Sequence, residues 1–390
     1  MPTESTEAWV LPAGPEIKHS PIRPAELQRE RITIPEIAAD EVLVEPIFGC
    51  WEGNMGHAVA RQPIDVCRSR GVDAVVIGNA GVVRILRVGE AVTTVQTGDR
   101  AVVFGSGIWD KHGFMVRALA YDAPDTIGIL AKRTKLHQKQ VIPIPDPTGH
   151  SLEQWAGFSL RYITAWANWS VARRCWLAQM EHVPPRDAHV FGWGGGVAFA
   201  ELILAQHFGF QTAMISARES RLKQLWEYGI TPIDRRQFSG LDFQPERYER
   251  DQNYRRAYLA AEQAFVQVVK DATDGEGASI FIDNIGRPVI RATLKSLARG
   301  GVLTTSGWKQ GMNLSIIRAI ECIQRHVHVH THYARYEEGL AAVEFAERTG
   351  WLPPRTGSRA YSWDEIPQLA ADYAHNDLDT FFPLFSVNPA

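Results

Sequence analysis

The feature that most constrains the fold is a glycine-rich stretch, Val190–Ala198 (VFGWGGGVA), in the middle of the chain. It follows an apolar segment of strand composition, His189–Gly192, and precedes a helical pattern over Val197–Phe208. Glycines at such a strand-to-helix turn let backbone N–H groups approach a pyrophosphate, and the following helix adds a partial positive charge. The stretch predicts a dinucleotide-binding turn, with a purely structural turn as the alternative. The residues predicted to contact the dinucleotide are Gly192, Gly195, Gly196 and Val197.

The composition changes after about Pro145, and from Asp187 onward apolar strand segments alternate with helical segments. Strand composition recurs at Thr212–Ser216, Ser279–Asp283 and Gly301–Ser306, with helical patterns after the first two. This alternation is typical of a parallel sheet that carries helices on both faces.

The first third of the chain has the composition of a β-rich domain. Its short β-branched segments are separated by Gly, Asp and Asn, which favour turns. These segments are Glu41–Glu45, Asp73–Ile77, Gly81–Val88 and Arg100–Phe104. Together with the alternating region they predict an α/β protein with a β-rich domain, 1–155 and 352–390, and a doubly wound parallel sheet, 156–351.

The composition excludes several other classes of protein. The 390 residues suffice for two domains of ordinary size. With 41 Lys and Arg against 44 Asp and Glu, the charge gives no footprint for nucleic acid or an anionic membrane. The four cysteines are scattered, which argues against a disulfide framework. No apolar run approaches the ~18–20 residues of a membrane helix, so we expect a soluble, cytoplasmic protein.

The end of the strand after the glycines indicates which dinucleotide binds. An NAD site places an Asp or Glu there, about 20 residues after the glycines, to bind the ribose 2′-OH. This chain has Ser216 and Arg218 at that place and Arg221 one helical turn later. A hydroxyl group and guanidinium groups can bind a 2′-phosphate, which an acid would repel. The sequence therefore predicts NADPH, the alternative being that both arginines only cover an exposed helix face.

Five short motifs occur in the order and at the spacing of a known superfamily. They are Asp40–Val44 (DEVLV), Gly81–Val83 (GVV), Gly98–Val102 (GDRAV), Thr164–Trp166 (TAW) and Gly300–Leu303 (GGVL). On these motifs the chain resembles the medium-chain dehydrogenase/reductase superfamily over most of its length. The resemblance implies a GroES-like catalytic domain and a Rossmann-type NADP-binding domain, with cofactor contacts at Thr164, Ser306 and Gly307. It also implies a homodimer with a contact at Gly300–Leu303.

The zinc ligands of that superfamily have no counterparts in this sequence. Where its zinc-dependent members place a Cys, a His-Glu pair and a second Cys or Asp, this chain has Glu52, Ile77, Gly78 and Leu160. Isoleucine and leucine cannot ligate zinc. The chain thus resembles the zinc-free quinone and enoyl-thioester reductases, and we predict no metal site.

Within the zinc-free reductases, two segments resemble crotonyl-CoA carboxylase/reductases. A charged, aromatic insertion occupies 235–256, and His332–Tyr336 (HYARY) matches an H-F-A-N-Y segment that carries an active-site histidine. The resemblance implies that His332 donates a hydrogen bond or proton and that Asn54 binds the substrate carbonyl or a water. A solvated insertion and a plain turn at Asn54 are the alternatives. The group's N-Y-N turn is Glu52–Asn54 (EGN) here, and its Phe-Glu pair is missing, so we expect reduction without carboxylation.

Four histidines alternate with other residues over His326–His332. On a strand they would lie on one face, but residues along one strand spread linearly and seldom converge on one ion. We therefore interpret them as strand-face residues. The function predicted is NADPH-dependent reduction of the C=C bond of an α,β-unsaturated acyl thioester. Alternatives are a quinone or carbonyl reductase of the same fold, or a nucleotide-binding paralogue without turnover.

Overall fold

The computed structural model describes residues 4–15, 24–307, 318–355 and 359–390. They form two compact units, the first within Met1–Ile163 and Ala334–Ala390 and the second within Thr164–Tyr333. These limits differ from the predicted domains, 1–155 with 352–390 and 156–351. The first boundary between the observed units, after Ile163, falls within the long helix Leu152–Met180. The helix that begins at Tyr336 belongs to the first unit, where the Tyr336 hydroxyl donates to the carbonyl of Val141 at 3.1 Å.

The first unit is built mainly from short strands. Before the long helix these are β1 (Glu4–Pro12), β2 (Gln28–Ile34), β3 (Glu41–Cys50), β4 (Ala74–Val75), β5 (Gly81–Val88), β6 (Arg100–Val103), β7 (Ser106–Trp109), β8 (Met115–Ala118), β9 (Thr134–His137) and β10 (Val141–Pro143). The helices of this stretch are α1 (Gly53–Ala60), α2 (Val66–Arg70) and the long α3 (Leu152–Met180).

The second unit alternates strands with helices. Its elements are β11 (His189–Trp193), α4 (Gly196–His207), β12 (Gln211–Ser216), α5 (Glu219–Glu227), β13 (Thr231–Asp234), α6 (Pro245–Arg250), α7 (Gln252–Asp271), β14 (Ala278–Asp283), α8 (Ile290–Ser296), β15 (Leu297–Thr305) and β16 (His328–Thr331). A π-helical turn covers Arg318–Gln324, and the chain returns to the first unit as α9 (Tyr336–Thr349), α10 (Ile366–Ala374) and β17 (Leu384–Ser386).

The main sheet of the first unit is antiparallel and has the strand order β10-β6-β5-β3-β17, with β9 also paired to β3. Its buried face contributes β-branched residues such as Val44, Ile85 and Val103 to one apolar core. This confirms the predicted β-rich domain. In the described residues none of the helices of either unit is long and apolar enough to cross a membrane.

The sheet of the second unit is parallel, and its described strands have the order β13-β12-β11-β14-β15-β16. This confirms the predicted doubly wound sheet. The pairing of one strand bears on how the expected dimer contact could form. Gly300–Leu303 lies in β15, where Val302 pairs with Ile280 of β14 and with His328 of β16. Because both sides of β15 are already paired, that strand cannot pair with a second copy.

The two faces of this parallel sheet carry different helices. Since neighbouring residues in register point to the same face, one face holds Phe191, Phe281, Leu303 and Val329. It packs with buried residues of α7 and α8, such as Phe265 and Leu294. The opposite face holds Gly192, Ile282, Thr304 and His330. On this face α4 covers Gly192 through Leu202, and Gln179 of α3 contacts His328.

The predicted insertion is largely helical and packed. It begins with a short 3-10 turn, Arg235–Phe238, continues through α6 and runs into α7. The Arg291 guanidinium of α8 lies over two of its aromatic rings, 4.7 Å from the Phe243 centroid and 4.8 Å from that of Tyr248, and 5.7 Å from the centroid of Tyr258, which follows the insertion in α7. These cation–π contacts attach the insertion to α8.

Candidate functional site

The glycine-rich turn joins the end of β11 to the start of α4. Gly194 has a φ of +125°, and a Cβ there would lie 3.3 Å from Cβ of Asn284. Gly195 caps α4, and no described atom lies within 4 Å of the place of its Cβ. Gly196 and Val197 form the first turn of the helix, whose N–H groups have no partner within the helix. The turn therefore leaves backbone donors beside open space, as a pyrophosphate site requires.

Gly192 and Trp193 belong to the packing of this turn. A Cβ on Gly192 would lie 3.1 Å from Cδ1 of Leu202, so glycine lets α4 approach the sheet closely. Trp193 is 1% exposed, and its ring centroid lies 4.8 Å from that of Phe265. Its Nε1 donates to Thr293 at 3.0 Å. The bulky residue between the glycines is thus a core residue on the α7–α8 face.

The loop after β14 is organised by Asp283. Its Oδ1 accepts from the backbone N–H groups of Ile285 and Gly286, both at 3.0 Å, and its Oδ2 accepts from the Thr293 hydroxyl at 2.9 Å. Burial raises the pKa of the Asp283 carboxyl, while these hydrogen bonds act to lower it. The loop at the carboxyl end of β14 is therefore held in one conformation.

Asn284 connects this loop to the end of β15. Its Oδ1 accepts from the Ser306 N–H at 2.9 Å and from the Ser306 hydroxyl at 3.2 Å. A Cβ on Gly307 would lie 3.1 Å from Cβ of Asn284, and Thr305 donates to the Gly307 carbonyl at 2.9 Å. The predicted contacts Ser306 and Gly307 thus lie at the same sheet edge as Gly194.

The residues predicted to bind a 2′-phosphate lie at the end of β12. Ser216 is the buried last residue of the strand, Arg218 caps α5, and Arg221 lies in the first turn of that helix, both arginines being half-buried. The structure brings Arg236 there as well. It binds Asp234, the register partner of Ser216, at 2.7 Å, and Glu219 at 3.0 Å. The Arg236 guanidinium holds the pKa of Asp234 below its usual range.

The histidine run is only partly a strand. His326 precedes β16 with a φ of +53°, β16 covers His328–Thr331, and His332 follows it, half-buried. Burial lowers the pKa of His330 to about 4, with a smaller contribution from His332 and His328. Thr164, the remaining predicted cofactor contact, is half-buried in α3 at the start of the second unit.

In the first unit, four polar side chains line one narrow, partly open cavity with about 130 Å³ of empty space. They are Glu52, Asn54, Asn79 and Tyr121. Asn79 is 2% exposed and Tyr121 is 9% exposed. In the described part of the chain, neither the Asn79 carboxamide nor the Tyr121 hydroxyl has a hydrogen-bond partner. Burial raises the pKa of Tyr121 to about 12, so the hydroxyl remains a donor at neutral pH.

The turn that carries Asn54 is fixed by Glu52. This buried carboxyl caps α1, accepting from the N–H of Asn54 at 2.7 Å and from that of Met55 at 3.0 Å. Burial raises the pKa of Glu52, while the two N–H groups and the nearby Arg161 lower it. Arg161 also donates to Sγ of Cys50 at 2.8 Å and to the carbonyl of Trp51 at 2.5 Å.

The positions matched to zinc ligands lie around this same cavity. Glu52, Ile77 and Gly78 line it. Cδ1 of Leu160 and Nδ2 of Asn79 lie 3.0 Å and 3.6 Å from the place of a Cβ on Gly105, so Leu160 adjoins the cavity through Asn79. Within residues 4–15, 24–307, 318–355 and 359–390, no group of three or more His, Cys, Asp or Glu side chains could hold a metal ion.

Several residues of these two sites were not predicted from the sequence. At the sheet edge they are Arg236, Asp283 and Asn284, and in the cavity they are Asn79 and Tyr121. Asp283 and Asn284 could have been found from the motif DNIG (Asp283–Gly286), which directly follows an apolar strand. The cavity residues come from separate loops, and no local pattern connects them.

Comparison with solved structures identifies the class of fold. Over 99% of this chain and 95% of the other, the structure superposes on crotonyl-CoA carboxylase/reductase AntE in complex with NADP, with a TM-score of 0.80 and 19% identity. A putative alcohol dehydrogenase from Sinorhizobium meliloti gives 0.70 at 18% identity, over 99% of this chain and all of that one. The chain therefore has the two-domain fold of medium-chain dehydrogenases/reductases, which confirms the resemblance predicted from the motifs.

More particular relatives share this fold. The 2-octenoyl-CoA carboxylase reductase CinF, in complex with NADP and 2-octenoyl-CoA, gives a TM-score of 0.79 at 19% identity, over 98% of this chain and 87% of that one. No family model matches the sequence. Among curated proteins, squalestatin hexaketide synthase of Cochliobolus lunatus is 22% identical over 275 residues, 70% of this chain. The chain spans 9% of the length of that synthase.

Proposed function

We propose that this protein is an NADPH-dependent, metal-independent reductase of the C=C bond in α,β-unsaturated acyl thioesters. The observation that carries the reaction type is the cavity of the first unit. Uncharged donors, the Asn79 carboxamide and the Tyr121 hydroxyl, occupy the region where zinc-dependent members of the fold place their metal ligands. Solved proteins of this fold, crystallised with NADP and with 2-octenoyl-CoA, support the same chemistry.

The second unit supplies the cofactor site in this proposal. The N–H groups at Gly195–Val197 bind the pyrophosphate, and Ser216 with Arg218 and Arg221 binds the 2′-phosphate. Thr164, Ser306 and Gly307 complete the contacts. Bound NADPH supplies a hydride at C4 of its nicotinamide ring.

The first unit supplies stabilisation of the oxygen on which charge develops. When hydride adds to the β-carbon of an enoyl thioester, the thioester oxygen becomes an enolate. Donors that are already fixed in a dry site stabilise that charge without reorganisation. Asn79, Tyr121 and Asn54 have this role in the proposal. Ile77, Gly78 and Leu160 have no ligating side chains, so the proposed stabilisation comes from hydrogen bonds.

His332 is the proposed donor of the proton to the α-carbon. It directly follows β16 and is half-buried. An imidazole can both donate and accept a proton, so this side chain is chemically suited to that role.

We also propose a homodimer. In the described residues the two end strands of this sheet are β13 and β16, and we propose that β16, the neighbour of β15, pairs with a second copy. An exposed strand edge pairs readily with another chain.

The test is a turnover assay with crotonyl-CoA and NADPH, run with and without bicarbonate. The same assay with NADH in place of NADPH is the matched control. We expect NADPH consumption that bicarbonate does not change, unlabelled product from labelled bicarbonate, and much slower turnover with NADH. Quinones and aldehydes are run in parallel as substrates of the rival activities.

Each outcome separates the possibilities. Binding of NADPH without turnover of any substrate would refute the proposal that the protein is an enzyme. Turnover of quinones or aldehydes alone would place the activity on a different substrate class. Incorporation of label would show that carboxylation accompanies reduction, and equal use of NADH would contradict the role of Ser216 and Arg218.

A further inference from the structure

The carboxamide of Asn284 has a fixed orientation. The backbone N–H of Ser306 can only donate, so the atom of Asn284 that lies 2.9 Å from it is the oxygen. The Ser306 hydroxyl reaches the same oxygen at 3.2 Å. Both contacts thus belong to Oδ1, and Nδ2 points away from Ser306 with two N–H groups to donate.

Those two N–H groups have no acceptor among the described residues, although Nδ2 is buried from solvent. A buried donor that lacks a partner costs free energy, and most buried polar groups in folded proteins have one. An amide held by its oxygen and open at its nitrogen is the arrangement expected where the acceptor comes from a ligand.

The surroundings of Asn284 show which part of a ligand can reach it. Its Cβ lies between two glycines, 3.3 Å from the place of a Cβ on Gly194 and 3.1 Å from that of a Cβ on Gly307. Side chains at either position would crowd the carboxamide. Asn284 therefore borders both the glycine turn and the end of β15.

Strand order separates this position from the adenosine end. The sheet runs β12-β11-β14-β15, and Ser216 ends β12 while Asn284 follows β14, on the opposite side of β11. A dinucleotide whose pyrophosphate lies at the β11 turn and whose 2′-phosphate lies at Ser216 extends its other half past Asn284.

We propose that Asn284 is a binding residue for the cofactor, with Nδ2 donating to an oxygen of the pyrophosphate or of the adjoining nicotinamide ribose. The assignment rests on the proposed function, because it takes NADPH as the ligand. The Ser306 contacts position the carboxamide for this bond, so one side chain joins the end of β15 to the cofactor.

The test compares Asn284→Asp with the wild-type protein in direct binding of NADPH, by calorimetry or fluorescence. Aspartate keeps an oxygen toward Ser306 and replaces the donor by an acceptor that faces phosphate or ribose oxygens. We expect Kd for NADPH to rise roughly tenfold or more, which is the effect expected when a hydrogen bond to a charged group is lost. Adenosine 2′-monophosphate, which lacks the pyrophosphate and nicotinamide half, should bind both proteins equally.

The matched control is Asn253→Asp, the same change of charge at an exposed position of α7. It should leave Kd for both ligands unchanged. Asn284→Ala gives a second route to the same comparison, because it removes the donor without adding charge. Thermal melting of the ligand-free variants records whether they are folded.

The outcomes keep this inference distinct from the proposed function. If the Asn284 variants bind NADPH more weakly but bind adenosine 2′-monophosphate as the wild type does, the assignment is supported. Equal weakening of both ligands would show that Asn284 only maintains the fold, and unchanged NADPH binding would refute the bond. A wild-type protein that binds no NADPH would overturn the proposed function and this assignment with it.

Discussion

The two faces of the parallel sheet in the second unit treat buried polar groups in opposite ways. On the α7–α8 face the buried Glu262 has several partners. It accepts from the hydroxyl of Tyr258 at 3.2 Å, lies 3.6 Å from Nε of Arg291, and pairs with Lys295. Thr293 on the same face accepts from Trp193 and donates to Asp283. Each group is satisfied by a neighbour.

The α3–α4 face has buried polar groups that lack such neighbours. Glu201 of α4, Asn168 of α3 and Thr304 of β15 are each 0% exposed. For the side-chain polar atoms of these three and of His330, no hydrogen-bond partner exists in the part of the chain that the structure describes. Since an unsatisfied buried polar group lowers stability, these four side chains reduce what the packing of this face contributes.

The difference teaches where the stability of this unit depends on pH. Burial without a partner disfavours the charged form of a carboxyl, which predominates at high pH, and the charged form of an imidazole, which predominates at low pH. We therefore expect that Glu201 lowers stability toward alkaline pH and His330 toward acidic pH. Glu262 should behave as a structural anchor, because it attaches α7, and with it the insertion, to α8.

The largest effect is expected at Glu262. Glu262→Ala leaves Lys295 and Arg291 without their acid and the buried hydroxyl of Tyr258 without its acceptor, since the described residues provide no other. Because the side chains of Lys295 and Arg291 are 47% and 29% exposed and can be hydrated, we expect the loss to come mainly from the Tyr258 hydroxyl and from the space left by the buried side chain, about 2–3 kcal/mol in all. A urea titration should show this loss, and a loss below about 1 kcal/mol would mean that the network contributes little.

A matched control for Glu262 is the exposed Glu249→Ala on α6. It removes the same carboxyl from the insertion without exposing a buried partner. We expect its free energy of unfolding to differ little from that of the wild-type protein, as for most surface substitutions.

The next effect concerns Glu201. Burial raises the pKa of this carboxyl well above its usual value, so the folded protein keeps a proton that the unfolded chain releases. The folded state is therefore disfavoured as pH rises above the unfolded pKa, by about 1.4 kcal/mol per pH unit. Glu201→Gln removes this dependence, so its stability relative to the wild type should increase steadily as the pH is raised from 5 to 7.

Unfolding by urea at pH 5, 6 and 7 measures the Glu201 effect. Glu227→Gln on the exposed side of α5 makes the same change of charge and should leave the pH profile unaltered. Parallel profiles of Glu201→Gln and the wild-type protein would show that Glu201 is ionised in the fold and has a partner.

His330 has the opposite dependence. Its folded pKa of about 4 lies below the ordinary 6.5. The corresponding stability is fully present above pH 6.5 and is lost as pH falls toward 4, by about 2 kcal/mol at pH 4.5. His330→Leu should be flatter than the wild type between pH 6.5 and 4.5, whereas the exposed His112→Leu should not be. An unchanged acid profile would contradict the burial of the imidazole.

The sequence predicts the framework better than these contacts. The glycine turn, the alternation from Asp187 onward and the motifs from Asp40–Val44 to Gly300–Leu303 are local patterns, and local patterns determine elements and their order. They also place Ser216 and Arg218 at the end of β12. The domain limits and the role of Gly300–Leu303 are harder to predict, because they depend on which distant segments pack or pair with each other.

The details of the site depend on contacts between distant segments. Trp193 looks like part of a binding turn and is a core residue, because the sheet turns it toward Phe265. Glu201 is the one acid of an otherwise mainly apolar helix, which already points to its burial, but the absence of a partner among the described residues depends on how α4 packs against the sheet. Asn79 and Tyr121 meet because two loops converge on one cavity. None of this is encoded at a fixed spacing.

The smallest effect makes the sharpest comparison, since two threonines with the same burial differ only in partners. Thr293 and Thr304 are both 0% exposed, on opposite faces of the sheet. Thr293→Val leaves Nε1 of Trp193 without an acceptor and removes the one hydroxyl donor to Oδ2 of Asp283, and should cost about 1–3 kcal/mol. Thr304→Val removes a hydroxyl that has no partner in residues 4–15, 24–307, 318–355 and 359–390, and should stabilise by about 1 kcal/mol. Opposite signs in urea titrations support the contrast between the faces; a loss of stability in Thr304→Val would show that water or another group satisfies that hydroxyl.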